Sequence, residues 1–233
     1  MDLPTALVTG ASRGLGRALA QALSARGWRL VIDGRDAERL RATVASLPRP
    51  DLVTAVPGDV IDPPHRAALA DAVGPRLDLL VNNASDLGPS PLPRLDSLPA
   101  EALQRVLAVN AVAPLALFQA VLPALRAASG RVLNISSDAA VEAYEGWGGY
   151  GASKAALDQL SAVLAVEHPE LRVHAIDPGD MATDMHQAAF PGEDISDRPA
   201  PETVVPALLA LVDGDRPSGR YRAADLLTSG ATR

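Results

Sequence analysis

The sequence predicts an α/β fold: a doubly wound, parallel sheet of seven strands with helices on both faces. Three observations predict it. Short apolar runs alternate with longer segments of helical period along the chain, the mark of βαβ units. Runs such as Ala6-Leu7-Val8 and Leu79-Leu80-Val81 are apolar at every position, as a strand must be when helices cover both faces of its sheet. Almost half of the residues are hydrophobic, yet only seven are aromatic, so Ala, Leu and Val must fill a core suited to close helix-on-sheet packing.

The elements follow in order. Thr5–Thr9 is the first strand, an apolar run that ends at Gly10, and Leu15–Ala25 is the first helix. Arg29–Asp33 and Leu52–Val56 are the second and third strands, with a helix at Ala37–Ser46 between them. A helix around Pro64–Ala72 leads to the fourth strand, Leu77–Val81. Pro89, Pro91, Pro93 and Pro99 make the next segment a connecting loop before a long helix from about Ala100 to Ala127. Pro114 should kink that helix, because its ring removes an intrahelical N–H. Arg131–Ser136 is the fifth strand, and a helix over Gly149–Val166 precedes the sixth, Arg172–Ile176. A helix near Glu202–Val212, which must accommodate Pro206, and a last strand near Gly219–Ala223 complete the series.

At 233 residues the length favours one domain, 1–233, with a sizeable core. A net charge of −7 argues against nucleic acid as a partner, since phosphate binding needs a concentrated excess of Lys and Arg. With no cysteine there is no disulfide and no thiolate nucleophile, and the four histidines have no metal-ligand spacing, so no metal is expected. No membrane partner is expected, since a span needs about 18 uncharged apolar residues in a row. Met1 to Thr9 runs directly into the first strand, which leaves no room for a signal peptide and points to the cytoplasm.

Thr9-Gly10-Ala11-Ser12-Arg13-Gly14-Leu15-Gly16 stands where the first strand turns into the first helix. Glycines there permit a tight turn and let backbone N–H groups approach a pyrophosphate at the positive end of a helix. A glycine-rich turn without a ligand is the other reading. Tyr150 and Lys154, four apart in a helical segment, project from one helix face. A tyrosine with its ordinary pKa of about 10 exchanges protons poorly at neutral pH, and a nearby ammonium should favour the phenolate. An exposed helical pair is the plainer alternative.

With its TGxxxGxG spacing, Asn82-Asn83-Ala84 after the fourth strand, and Ser137 thirteen residues before Tyr150, the sequence resembles the classical short-chain dehydrogenase/reductase family. The resemblance runs from Thr5 to about Asp184, some four fifths of the chain. It implies a Rossmann-type oxidoreductase in which Tyr150 is the acid/base, Ser137 orients the substrate oxygen, Lys154 assists the phenol and holds the nicotinamide ribose, and Asn110 holds a water against the lysine. A buried Asn110 that satisfies backbone groups freed by Pro114 is the alternative. The family's cofactor contacts map onto Gly10, Ser12, Arg13, Gly14, Leu15 and Gly16. They continue at Asp59 and Val60 against the adenine, Asn83 and Ala84, and Pro178, Gly179 and Thr183 on the carboxamide side. Ser85 replaces a glycine usual in the family, which bears on the local turn.

Counting from Gly16, the family's ribose-binding acid falls at Gly34, and Arg35 follows. A guanidinium thus stands where the 2′-phosphate of NADP(H) would lie, and Arg13 offers a second, unless it is simply a solvated loop residue. A one-residue shift that brought Asp33 onto the ribose would reverse the preference toward NAD(H).

Substrate choice should lie in 138–149 and in a loop at about 185–201. Asp138, Glu142, Tyr144, Glu145 and Trp147 point to a polar or cationic carbonyl or alcohol. The resemblance implies a homodimer or homotetramer built through the two long helices. An NADP-binding sensor or regulator without turnover, and an interaction scaffold that keeps only the fold, are the competing readings.

Overall fold

The computed structural model describes residues 3–230. Seven strands form one sheet: β1 (Thr5–Val8), β2 (Arg29–Gly34), β3 (Val53–Pro57), β4 (Leu79–Asn82), β5 (Arg131–Ile135), β6 (Arg172–Asp177) and β7 (Gly219–Arg222). Their order is β3-β2-β1-β4-β5-β6-β7, and every neighbouring pair runs parallel. The winding therefore reverses between β1 and β4, where the carboxyl ends of the strands open a crevice.

The helices are α1 (Gly14–Ala25), α2 (Ala37–Ser46), α3 (Pro63–Val73), α4 (Ala100–Leu107), α5 (Ala113–Ala128), α6 (Gly148–Glu167), α7 (Asp184–Ala189), α8 (Val205–Asp213) and α9 (Ala223–Gly230). Side chains alternate across each strand, so β1 serves two cores. Ala6 and Val8 pack with Leu19 and Leu23 of α1 and Leu208 and Leu211 of α8. Leu7, between them, packs on the other face with Leu69 of α3 and Phe118, Val121 and Leu125 of α5. This is why β1 and β4 are wholly buried and, but for Thr5 and Asn82, apolar.

Pro114 follows a change of helix type. Residues Ala108–Val112 form one π-helical turn, in which Ala113 N–H reaches back five residues to Ala108 O, and Pro114 then sits in the first turn of α5, where a missing N–H costs nothing. Pro206 is likewise tolerated in the first turn of α8, after a short 3₁₀ turn at Pro201–Thr203. The loop expected at about 185–201 begins with the helix α7, and α9 was not foreseen. The long helical region also corrects the membrane argument. Residues 106–125 carry no charge, and Ala100–Ala128 is long and apolar enough to cross a membrane by length and composition. Half of its most apolar window is buried within the fold, where it serves as a core helix.

Candidate active site

The crevice at the carboxyl ends of the strands is a cleft of about 640 Å³, in the size range of small-molecule sites. Its floor at one end is the β1–α1 turn. Gly10 has φ +66°, and a Cβ there would lie 2.9 Å from Ala84 Cα; one at Gly16 would lie 2.5 Å from Gly10 O. Only glycine fits either place, so the turn presents bare backbone at the N-terminus of α1, as a pyrophosphate site requires. Thr9 and Asn83 lock it: Thr9 Oγ1 accepts the N–H groups of Asn83 and Ala84 at 3.0 Å, and Asn83 Nδ2 donates to Thr9 O at 2.9 Å and Gly10 O at 3.1 Å. The Asn83 amide is thus spent on the turn itself.

The adenosine end is set by β2 and β3. Asp33 does not lie open to a ribose: it is 1% exposed, its Oδ1 accepts Gly10 N–H at 2.6 Å, and its Oδ2 lies 3.1 Å from His65 Nε2. Gly34 leaves its place to Ser12, whose Cβ and Oγ would both be 3.0 Å from a side chain there. Arg35 lines the cleft and makes no hydrogen bond or ion pair among the described residues. Arg13 is engaged, 2.8 Å from Asp184, which also meets Arg39 at 3.3 Å. Burial works against the charge of Asp59, but the Arg105 guanidinium at 3.0 Å and the Ile61 N–H outweigh it and hold this carboxyl below its ordinary range.

At the other end, α6 brings Tyr150 and Lys154 to the cleft together with Ser137, which follows β5. Burial pushes the Tyr150 phenol well above its ordinary pKa, while the Ser85 and Ser137 hydroxyls pull it back in part. The lowering expected from the YxxxK spacing is absent in the chain alone. Lys154 Nζ is 5.4 Å from the phenol ring centre and donates to Ile135 O at 2.8 Å, and burial pushes its own pKa down to about 8. Ser137 Oγ donates to Asp138 Oδ1 at 3.0 Å and caps the 3₁₀ turn Asp138–Ala140 through Ala139 N–H. Ser136 Oγ, buried at the cleft wall, has no partner among the described residues.

Asn110 does not line the cleft. Within the π turn its Nδ2 donates to Asp86 O at 2.8 Å and Ser153 Oγ at 2.9 Å, and its Oδ1 accepts Asp86 N–H at 2.8 Å and Ser85 Oγ at 3.2 Å. Ser85, the residue that departs from the family, needs no left-handed backbone and gains this bond. Pro178 and Gly179 line the cleft, with Gly179 at φ +74°, and Thr183 caps α7 by accepting His186 N–H at 3.2 Å.

The family model of short chain dehydrogenases matches residues 4–194. The chain belongs to the short-chain dehydrogenases. Among curated members of this oxidoreductase family, it is 40% identical to a rhamnolipids biosynthesis 3-oxoacyl-[acyl-carrier-protein] reductase of Pseudomonas aeruginosa, over 75% of this chain and 71% of the relative. It is 36% identical to bovine sepiapterin reductase, over 78% and 74%. A short-chain dehydrogenase of Shigella flexneri, solved in complex with NADP, superimposes with a TM-score of 0.88 at 31% identity, covering 95% of this chain and 97% of its own. One from Escherichia coli, solved with NADPH, gives 0.87 at 32%, covering 94% and 96%.

Several features of this short-chain dehydrogenase's site have no signal in the sequence. The Asp33–His65 contact, the bridge from Asp184 to Arg13 and Arg39, and Ser85 beside the phenol join residues far apart in the chain. Only the strand order brings them together.

Proposed function

We propose that this short-chain dehydrogenase transfers a hydride between NADP(H) and the carbonyl or alcohol carbon of a small molecule, with Tyr150 as the acid/base. One observation carries the reading: Ser137, Tyr150 and Lys154 line the same cleft as Gly10, Ser12, Arg13, Gly14 and Leu15. A sensor that only binds the coenzyme has no use for a phenol, an amine and a hydroxyl gathered there.

The glycine cradle fits a dinucleotide. The Gly10–Gly16 turn would hold its pyrophosphate, Asp59 and Val60 its adenine, Ala84 its middle, and Pro178, Gly179 and Thr183 the carboxamide side. When bound, the reduced nicotinamide supplies the hydride. Tyr150, kept protonated by burial, donates its proton to the substrate oxygen as the alcohol forms, and Ser137 orients that oxygen. Lys154 holds the nicotinamide ribose and restores the proton of the phenol. Asn110 has spent its amide on Asp86 and Ser153, so the atom left to hold a water for Lys154 is its backbone carbonyl, whose α-helical partner would be the N–H that Pro114 lacks.

Three features support NADP(H) over NAD(H): the acid of β2 is buried, Gly34 offers none, and the Arg35 guanidinium makes no hydrogen bond or ion pair among the described residues. The Shigella flexneri and Escherichia coli neighbours, solved with NADP and NADPH, agree with this. The substrate wall supports an apolar flank on the reacting carbonyl beside the polar or cationic group expected from the sequence, since Asp138 also lines the cleft. Leu87, Trp147, Met185 and Ala189 pack around Tyr150, whereas Glu142 and Glu145 lie exposed outside the cleft. Exposed Val112, Val163 and Val166 on the two long helical segments support a homodimer or homotetramer.

A panel of carbonyl compounds with NADPH and NADH tests the reading. Oxidation of NADPH with apolar ketones or aldehydes is the expected outcome, faster than with NADH. Tight NADPH binding with no turnover anywhere in the panel would make the protein a coenzyme-binding regulator.

A further inference from the structure

Asp33 is an anomaly in a site that offers its coenzyme arginines. A carboxylate at the end of β2 is one residue from the position that selects a ribose hydroxyl, and Asp33 belongs to the cleft lining. Both of its oxygens are nevertheless spent, Oδ1 on Gly10 N–H at 2.6 Å and Oδ2 on His65 Nε2 at 3.1 Å. The imidazole comes from α3, which packs against β1, β2 and β3, and its side chain is only 7% exposed. The chain makes room for it at one place. A Cβ on Gly58 would fall 2.3 Å from His65 Nδ1, so any other residue there would expel the ring. Burial raises the pKa of the Asp33 carboxyl, and His65 and Gly10 oppose that shift, with the charge of Asp59 acting against them.

We infer that His65 is a specificity-determining residue: by holding one Asp33 oxygen it keeps the carboxylate out of reach of the coenzyme's adenosine ribose, and so protects the preference for a 2′-phosphate. The inference rests on the NADP(H) reading above. Without the imidazole, a buried carboxylate with one partner lost is costly and turns toward the cleft. There it repels a phosphate dianion and accepts hydrogen bonds from free ribose hydroxyls.

The experiment exploits reach. Glutamine places its amide nitrogen where histidine places Nε2, whereas the asparagine amide falls at Nδ1 and stops short of Asp33. NADPH and NADH dissociation constants are measured by nicotinamide fluorescence for the wild type, His65→Gln, His65→Asn and His65→Asn with Asp33→Asn, with thermal melts as the folding control. Expected are a preference for NADPH in the wild type and in His65→Gln, a fall of about tenfold or more in the NADPH:NADH affinity ratio in His65→Asn, and its recovery in the double variant. Equal weakening of both coenzymes in His65→Asn would mean that the pair is only structural, and would overturn the inference while leaving the NADP(H) reading intact. A wild type that binds NADH more tightly, or neither coenzyme, would overturn that reading and this inference with it. Should His65→Asn fail to fold, long-range nitrogen–hydrogen NMR on the wild type decides: a hydrogen on Nε2 supports the inference, and a bare Nε2 overturns it.

Discussion

Tyr150 and Lys154 share one helix face, and burial acts on them in opposite senses, raising the phenol and lowering the amine to about 8. Both shifts favour neutral groups in a dry site. Tyr150→Phe removes one hydroxyl and leaves the packing against Trp147, whose ring centre is 5.7 Å away. We expect it to bind NADPH as the wild type does and to lose carbonyl reduction by about 10²–10⁴-fold, a range general acids commonly supply. Equal turnover of the two proteins would remove Tyr150 from the chemistry. For Lys154 the sign follows from proton counting. Between about pH 8 and 10.5 the folded protein has released this proton while the unfolded chain still holds it, so the lysine's contribution to stability improves as pH rises through that window. Below about pH 8 both states hold the proton and its full cost is present. Urea unfolding of the coenzyme-free wild type and of Lys154→Met should therefore give a stability difference that moves in favour of the wild type from pH 8 to 10.5; a flat difference would show that burial does not depress this amine.

At the scale of elements, the π turn is where the sequence was least legible. Pro114 announces a disturbance there, but the π turn is tied down by the Asn110 side chain, which finds Asp86, Ser85 and Ser153, the last of them 43 residues away on α6. No periodicity encodes such a partner. The strands were legible for the opposite reason: burial on both faces favours apolar runs, and β1, β2, β4, β5 and β6 fall within two residues of where those runs place them, although Asp33, Asn134 and His174 interrupt them. α7 was hidden because its six residues are too few for a period to register. Since Asn110 is 1% exposed and ties the π turn to the 85–86 segment and to α6, Asn110→Ala should strand several buried polar groups and cost about 2–4 kcal/mol, read as a lower urea midpoint with an unchanged slope. A loss below about 0.5 kcal/mol, the level of an ordinary surface change, would mean that water replaces the amide.

Over the whole molecule, the arginines are distributed unevenly. The chain carries a net −7, and at one end of the cleft Arg13, Arg17, Arg35 and Arg39 stand among Asp33, Asp36, Asp59 and Asp184. Sequence composition argues against a nucleic-acid surface from averages alone, and it is silent on this local field, which exists only because the sheet brings the ends of β1 and β2 together. Asp184 and Asp36 neutralise Arg13 and Arg39 in part, and Arg35, whose charge is felt by Asp59, makes no ion pair among the described residues and can meet whatever enters. A 2′-phosphate is attracted by that field and a ribose hydroxyl is not, so salt should separate the two coenzymes. Raising ionic strength from about 0.1 M to about 1 M shortens the screening length from about 10 Å to about 3 Å. The dissociation constant of NADPH should then rise by about threefold to tenfold while that of NADH changes little, and Arg35→Ala should weaken NADPH at low salt and abolish most of its salt dependence. Parallel salt curves for NADPH and NADH would place the 2′ position outside this field, and with it the argument from Arg35.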